Sequence, residues 1–406
     1  MIDLAALREW LRQRLWFVPA LLTLGAGLLA VVLVALDQHL AEDPGWLGFA
    51  FGGTADGAQN VLSVIATSML TFTGLVFSIT MLVLQAASSQ LSPRVMRTFL
   101  RDRGNQVVLG LFVATFVYTL LVLHEVRAPS EPGGGFVPSL SILIAFVLLL
   151  SSVGAFIWYI DHMAHAIRAS TVIESIWAET TAAIDRLYPE PIGAEAETEA
   201  EPWQRHDDPA RVVESPGAGT LVGIDEERLL AAASEGDRLL ELLPSVGAFV
   251  PEGAPLARLW GDWDEAAIDD VRAAVGLGSE RTLNQDAAFG LRQLVDIALR
   301  ALSPGINYPS TAVLALDRLY DLLRRLAVRR FPSRERAVDG TVRLVLSRPG
   351  WDEYVRLAVD EIRQAGDGQI QVDRRLRSML EDLRSIAPED RLAVLRQERG
   401  RLAPSD

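Results

Sequence analysis

The chain has 406 residues, half of them apolar, and a formal net charge of −14, so it lacks the basic footprint that nucleic acid requires. It contains no cysteine, and all 38 basic residues are arginine. Disulfides and thiolate chemistry are therefore excluded, as are lysine Schiff bases, a Walker-type phosphate lysine and an attachment point for biotin or lipoate.

In chain order, the first pattern is Leu4, Leu7, Leu11 and Leu15 on one helical face, with Arg8 and Arg12 opposite. It suits either a short interfacial helix or the positive flank of a first span. Four apolar runs of roughly the 20 residues needed to span a bilayer follow, over 16–36, 61–87, 107–123 and 137–160. The apolar core of the first is too long for a signal peptide, and no small-residue cleavage site follows, so a retained helix is expected. The fourth ends in Trp158 and Tyr159, an aromatic pair suited to a membrane interface.

Arginine alternates between the loops. Arg8, Arg12 and Arg14 precede the first span, and the next loop has Asp37, Glu42, Asp43 and Asp56 but no arginine. Arg94, Arg97, Arg101 and Arg103 follow the second span, Arg127 stands alone in the third loop, and Arg168 and Arg186 follow the fourth span. The positive-inside rule then places both termini in the cytoplasm of a multi-pass protein.

Within the second run, Asn60, Thr67, Thr71, Gly74, Ser78, Gln85 and Ser89 recur with a period near 3.5 and form one stripe. Leu62, Ile65, Met69, Phe72, Val76, Ile79 and Val83 keep the same period on a separate apolar face. Small and hydroxyl residues of this kind commonly serve helix packing. Repeated around an oligomer, the same stripe lines a water-filled path without fixed charge, which places the second span in the interior. No ionisable residue stands in the middle of any run, which argues against an ion-coupled transporter. After the stripe, Ser92 and Pro93 start a short helix that Gly104 ends. Its arginines, Arg94, Arg97, Arg101 and the following Arg103, suit either lipid headgroups or the cytoplasmic mouth of a pore.

"YIDHMAHAI" sets His162 and His165 one turn apart with Asp161 beside them, a weak metal pattern that polar helix ends often share. Past position 188 an acidic, proline-punctuated linker is expected over 189–208, a β-rich module over 209–262, and a helical module with a short β pair over 263–406. "SPGAGTLVGID" and "GAFVPEGAPLARL" resemble a barrel-sandwich module of the biotinyl/lipoyl type, which without lysine is structural or ligand-sensing. "RTLNQDAAFGLRQLVD" concentrates Arg281, Gln285, Asp286, Arg292, Gln293 and Asp296 around Phe289, and Asn307 follows in "SPGINYPS". These residues suit a subunit or domain contact, or a small-ligand pocket.

"SSQLSPRVMRTFLRDRGNQVVLGLFVATFVYTL" and "RTLNQDAAFGLRQLVDIALRALSPGINYPSTA" resemble two stretches of a bacterial predicted-membrane-protein family, domain of unknown function 2254. The family pattern runs closer to "SPAINDP" where this chain has Gly305 and Tyr308. The resemblance implies architecture and no activity.

The expected protein is a polytopic α-helical membrane protein with a cytoplasmic α+β region, in the bacterial inner membrane and without a cofactor. It contacts lipid and assembles as a homo-oligomer, with a small ion or metabolite as its remaining partner. A passive channel controlled by the cytoplasmic region is the leading function, and a non-conducting scaffold or sensor the alternative. No nucleophile–base constellation points to an enzyme.

Overall fold

The computed structural model describes residues 16–40, 54–90, 102–128, 135–166, 168–192, 211–235 and 237–402. The leucine/arginine pattern before residue 16, the proposed short helix with Arg94, Arg97 and Arg101, and most of the acidic linker lie outside the described residues. The chain divides into two compact units that part between Arg168 and Ala169.

The first unit holds four helices long and apolar enough to cross a membrane: α1 (Phe17–Leu40), α2 (Ala55–Gln90), α3 (Arg103–Glu125) and α4 (Ser139–Ala166). Each matches one of the apolar runs; α2 and α3 extend beyond theirs at both ends, and α1 and α4 only at the C-terminal end. At about 1.5 Å per residue α2 is roughly 54 Å long, well beyond the hydrocarbon thickness. Helices α1 and α3 approach closely at Gly110, where an added Cβ would stand 2.7 Å from Leu22 and 3.0 Å from the Cα of Pro19. The burial pattern differs from the expected one: α3 is the most enclosed span, 44% buried against 28% for α2. The second span is the next most enclosed, ahead of α4 at 22% and α1 at 17%.

Three residues take unexpected places. Asp37 belongs to α1 and not to a loop; its buried carboxylate accepts from the Leu140 N–H (3.0 Å), the Ser141 N–H (2.9 Å) and the Ser141 hydroxyl (2.7 Å). A carboxylate borrowed from one span thus satisfies the free amides at the start of another. Tyr159 is fully buried and not interfacial: its hydroxyl donates to the Val76 carbonyl at 3.0 Å and lies 2.7 Å from Thr80 Oγ1. Gly104 ends no helix. It lies in the first turn of α3, where an added Cβ would stand 2.6 Å from the Trp158 ring.

The second unit begins with α5 (Ala169–Leu187) and continues with β1 (Arg211–Glu214), β2 (Gly219–Ile224), α6 (Glu226–Ser234), β3 (Leu239–Leu242), β4 (Phe249–Val250) and β5 (Pro255–Trp260). Then come α7 (Glu265–Ala273), β6 (Val275–Gly278), α8 (Ala287–Leu302), α9 (Pro309–Ala327), β7 (Glu335–Val338) and β8 (Thr341–Leu346). Helices α10 (Trp351–Ala365), α11 (Ile370–Ile386) and α12 (Leu392–Gly400) complete it, with a 3-10 turn at Glu389–Arg391.

The strands form two open sheets, ordered β1-β5-β3-β8-β7 and β4-β2-β6. The β7–β8 pair that follows the helices joins the larger sheet, with β8 parallel to β3 through Leu240↔Leu344. Strand β8 alternates buried Val342, Leu344 and Leu346 with half-buried neighbours, the period-2 pattern of a strand with one face in the core. The apolar stripe of α8 buries Leu291, Leu294, Val295, Ile297 and Ala298 as its 3.6-residue period requires. Gly290 lets α5 and α8 touch: a Cβ there would overlap the Thr180 side chain. The end of α9 is closed by Arg391, which donates to the carbonyls of Leu326 (2.8 Å), Ala327 (3.1 Å) and Arg329 (2.9 Å). Its guanidinium also stacks on Phe331 and Trp351.

Candidate functional sites

On α2, Leu62, Ile65, Met69, Val76 and Val83 are buried against the other spans, and Phe72 stacks on Phe156 at 4.9 Å. Asn60, Thr67, Thr71, Gly74, Ser78 and Gln85 are all exposed; the side chain of Ser89 lies outside the described residues. At 3.6 residues per turn the polar stripe is diametrically opposite the buried face. Val64, Leu70, Leu75, Phe77 and Leu82 flank it and are exposed as well. The hydroxyls are satisfied locally. Thr67 donates to the Ser63 carbonyl (2.9 Å), Thr71 to Thr67 (3.0 Å) and Ser78 to Gly74 (2.9 Å). Such i−4 bonds leave an oxygen free to accept while removing the penalty of an unpaired hydroxyl in lipid. Nothing lies within 4 Å of the Gly74 Cβ position, so the stripe is smooth and open at its centre.

At the start of α3, Arg103 is exposed. Asp102 caps that helix by accepting from the Gly104 N–H at 2.8 Å and also pairs with His162 Nε2. His162 is further held by stacking on Trp158, with ring centroids 4.7 Å apart. His165 turns back to its own helix, with Nδ1 2.8 Å from the Asp161 carbonyl oxygen. The two histidines thus have separate partners, and among the described residues no three potential ligands are grouped to hold a metal ion.

In the second unit, two of the seven expected polar residues, Gln285 and Asp286, line a cavity of about 120 Å³, and a third, Arg281, pairs with Asp286. Asp286 caps α8 by accepting from the Phe289 N–H at 3.0 Å, and its other oxygen takes Arg281 Nε (2.9 Å) and Nη2 (2.7 Å). Burial raises the Asp286 pKa despite the Arg281 guanidinium beside it. Gly247, at φ 93°, makes room for this pair, since a Cβ would strike both partners. Gln285 behaves as a length of strand: its side-chain amide accepts from the Ile224 N–H (2.8 Å) and donates to the Ile224 carbonyl (3.0 Å).

The remaining four lie elsewhere. Arg292 bridges α8 to α10 through a forked pair with Glu361 and bonds Asp296 at 2.9 Å. Gln293 is buried on α8, and Asn307 accepts from Gln369 Nε2 at 3.3 Å. These contacts join elements within the unit.

The rest of the cavity wall came without warning from the sequence. Tyr188 and Tyr354, both buried, face each other with hydroxyls 2.9 Å apart, and Phe331 packs between them. Desolvation raises both phenol pKa values, so each keeps its proton at neutral pH. Arg348 follows β8 and pairs with Glu226, while its Nε is buried with no hydrogen-bond partner among the described residues. Leu187, Val246, Pro332 and Leu346 supply the apolar wall.

Comparison with known proteins supports the architecture. The chain matches the family described as Predicted membrane protein (DUF2254) over residues 12–382. It is 34% identical over 413 residues to Uncharacterized protein Rv1290c of Mycobacterium tuberculosis strain H37Rv, covering 97% of this chain and 76% of that protein. Uncharacterized protein Mb1321c of Mycobacterium bovis matches with the same identity and coverage. No solved structure matches. With a family model covering most of its length and relatives that align along nearly all of it, the chain belongs to the DUF2254 family of predicted membrane proteins.

Proposed function

We propose that the protein is a homo-oligomeric pore of the bacterial inner membrane, in which the polar stripe of α2 faces a central passive path. One observation carries this reading: the stripe lies opposite the face that packs on its own subunit, and no described residue covers it. The hydroxyls are satisfied within the helix, but the amides of Asn60 and Gln85 on the same stripe are better served by water or a second copy than by lipid. Hydroxyls at Thr67, Thr71 and Ser78, with the amides of Asn60 and Gln85 toward the ends, give a neutral polar wall. The distribution of arginine between the loops supports cytoplasmic termini, and Arg103 then stands on the cytoplasmic side of the path.

The test is single-channel recording in planar bilayers with wild type, Thr71→Phe and Ser78→Phe. Unitary currents that both substitutions abolish are expected. Silence from a folded oligomer across voltage and salt overturns the pore and leaves the stripe as a dry contact between copies, the arrangement of a scaffold or sensor.

A further inference from the structure

Helix α12 is the last element of the described chain, and at nine residues it depends on packing to stay formed. Val394 and Leu395 are buried where it packs on α10 and α11. Glu398 is buried beside them, its side chain without exposed surface. A carboxylate in such a place is costly unless it is paired and fully hydrogen-bonded. Glu398 has to share its cation. One nitrogen of Arg401, Nη1, donates both to Glu398 Oε1 at 2.8 Å and to Asp360 Oδ1 of α10 at 3.2 Å. The second Glu398 oxygen, Oε2, is buried with no donor among the described residues.

The Asp360 carboxyl hydrogen-bonds Glu398, and two carboxyl groups can do so only with a proton on one of them. With the proton on Glu398 the cluster is neutral: one carboxylic acid, one carboxylate and one guanidinium. Without it, a second negative charge stands beside Asp360 in a place closed to water. Burial, reinforced by Asp360, raises the Glu398 pKa above its ordinary 4.5. The other charged groups on the elements packed against α12 give Glu398 no further partner. On α10, Glu361 is taken by Arg292, and neither Arg356 nor Arg363, one turn to either side of Asp360, pairs with Glu398. On α11, Glu381 is held by Arg399 at 2.9 Å, with Arg377 and Arg384 a turn to either side. In the 3-10 turn Arg391 is committed to carbonyls, and Glu389 and Asp390 are exposed.

We propose that Glu398 and Asp360 form a pH-sensitive latch, which holds α12 on α10 and α11 while Glu398 carries its proton and loosens it when that proton leaves to water. The folded form binds this proton more tightly than the unfolded chain does. The attachment is therefore at full strength below the ordinary 4.5 and weakens as pH rises through the raised value. Release uncovers the surfaces of α10 and α11 that lie beneath Val394 and Leu395. The latch lies wholly within the second unit, and it stands whether or not the first unit conducts.

The absence of cysteine allows a direct test. Gln364→Cys on α10 and Gln397→Cys on α12, both exposed, take a pair of nitroxide labels in the full-length protein in nanodiscs. Double electron–electron resonance then reads their separation from about pH 5 to about pH 9. A single short distance is expected at the acid end, with a longer and broader population that grows at least about threefold toward the alkaline end. Glu398→Gln keeps a donor for Asp360 and cannot ionise, so it is expected to hold the short distance throughout. Asp360→Asn leaves Arg401 to Glu398 alone and is expected to do the same. Thermal melts matching wild type show that each variant is folded, and either folded variant suffices for the comparison. A wild-type separation that does not change with pH, or a change that persists in a folded variant, overturns the proposal.

Discussion

Asp37, near the end of α1, holds the first turn of α4 through Ser141, taking both its N–H at 2.9 Å and its hydroxyl at 2.7 Å. The same helix start is gripped from a third span, since the Tyr118 hydroxyl donates to the Ser141 carbonyl at 2.9 Å. Asp37→Ala leaves the Leu140 and Ser141 donors without an acceptor and is expected to destabilise the first unit by about 1–3 kcal/mol. Asp37→Asn, which keeps one acceptor oxygen, is expected to cost less. Thermal unfolding in detergent, followed by loss of helicity, measures both.

Because the chain contains no cysteine, single cysteines report neighbours cleanly. Ser78→Cys and Thr71→Cys, on the exposed stripe, are expected to join two subunits in native membranes under oxidation or with a short bis-maleimide. Val76→Cys, buried against the subunit's own spans, is expected to remain monomeric on denaturing gels. Cross-linking at Val76 with none at the stripe would reverse the proposed face of assembly.

Gly290 and Thr180 form a second pair open to test. Gly290→Ala forces a Cβ into the Thr180 side chain, and overpacking of this kind costs about 1–3 kcal/mol. Thr180→Ala in the same chain removes the obstructing atoms and is expected to restore most of the loss. A double-mutant cycle of melting temperatures gives the coupling, and additive effects would show that the two helices do not meet there.

Two carboxylates pull the acid stability of the second unit in opposite directions. Hydrogen bonding to Arg292 lowers the Glu361 pKa below its ordinary 4.5, so its contribution is present above that value and is lost as pH falls through the lowered pKa. Burial raises the Asp286 pKa above its ordinary 3.8, so the folded form binds its proton more tightly. Its effect is to reduce stability as pH rises from 3.8 through the raised value. Glu361→Gln is expected to flatten the acid limb, by less than about 1 kcal/mol because the pair is partly exposed. Asp286→Asn, still able to cap α8, is expected to remove that decline above 3.8. Melting temperatures across the acid range, taken variant by variant, measure the two slopes.

What the sequence makes legible follows from where the physics is local. Spanning helices are forced by the length of their apolar runs, and a 3.5-residue repeat separates the stripe of α2 from its apolar face before any neighbour is known. The cap at Asp286 is equally local, since its partner Phe289 lies three residues on. Asp37 was hidden because its partner Ser141 lies 104 residues away, and an acidic residue at the end of an apolar run reads as loop. The burial of Tyr159 depends on Val76 and Thr80 of another helix, so an aromatic pair at a span end misleads. The cavity is the extreme case. Tyr188, Phe331, Arg348 and Tyr354 come from separate stretches, and only the packing of the second unit brings them to one wall.

The parallel pairing of β3 with β8 also sets an order of events during synthesis. Leu240 leaves the ribosome about a hundred residues before Leu344, its partner in register. At roughly 5–20 residues per second that interval lasts about 5–20 s. During it β3 pairs with β5 on one side and presents a bare hydrogen-bonding edge on the other, a template for wrong partners. Closing so distant a contact is intrinsically slow. The central strand of the larger sheet is thus laid down early and sealed late, and a chain cut before β8 is left with an adhesive edge that the complete protein never shows.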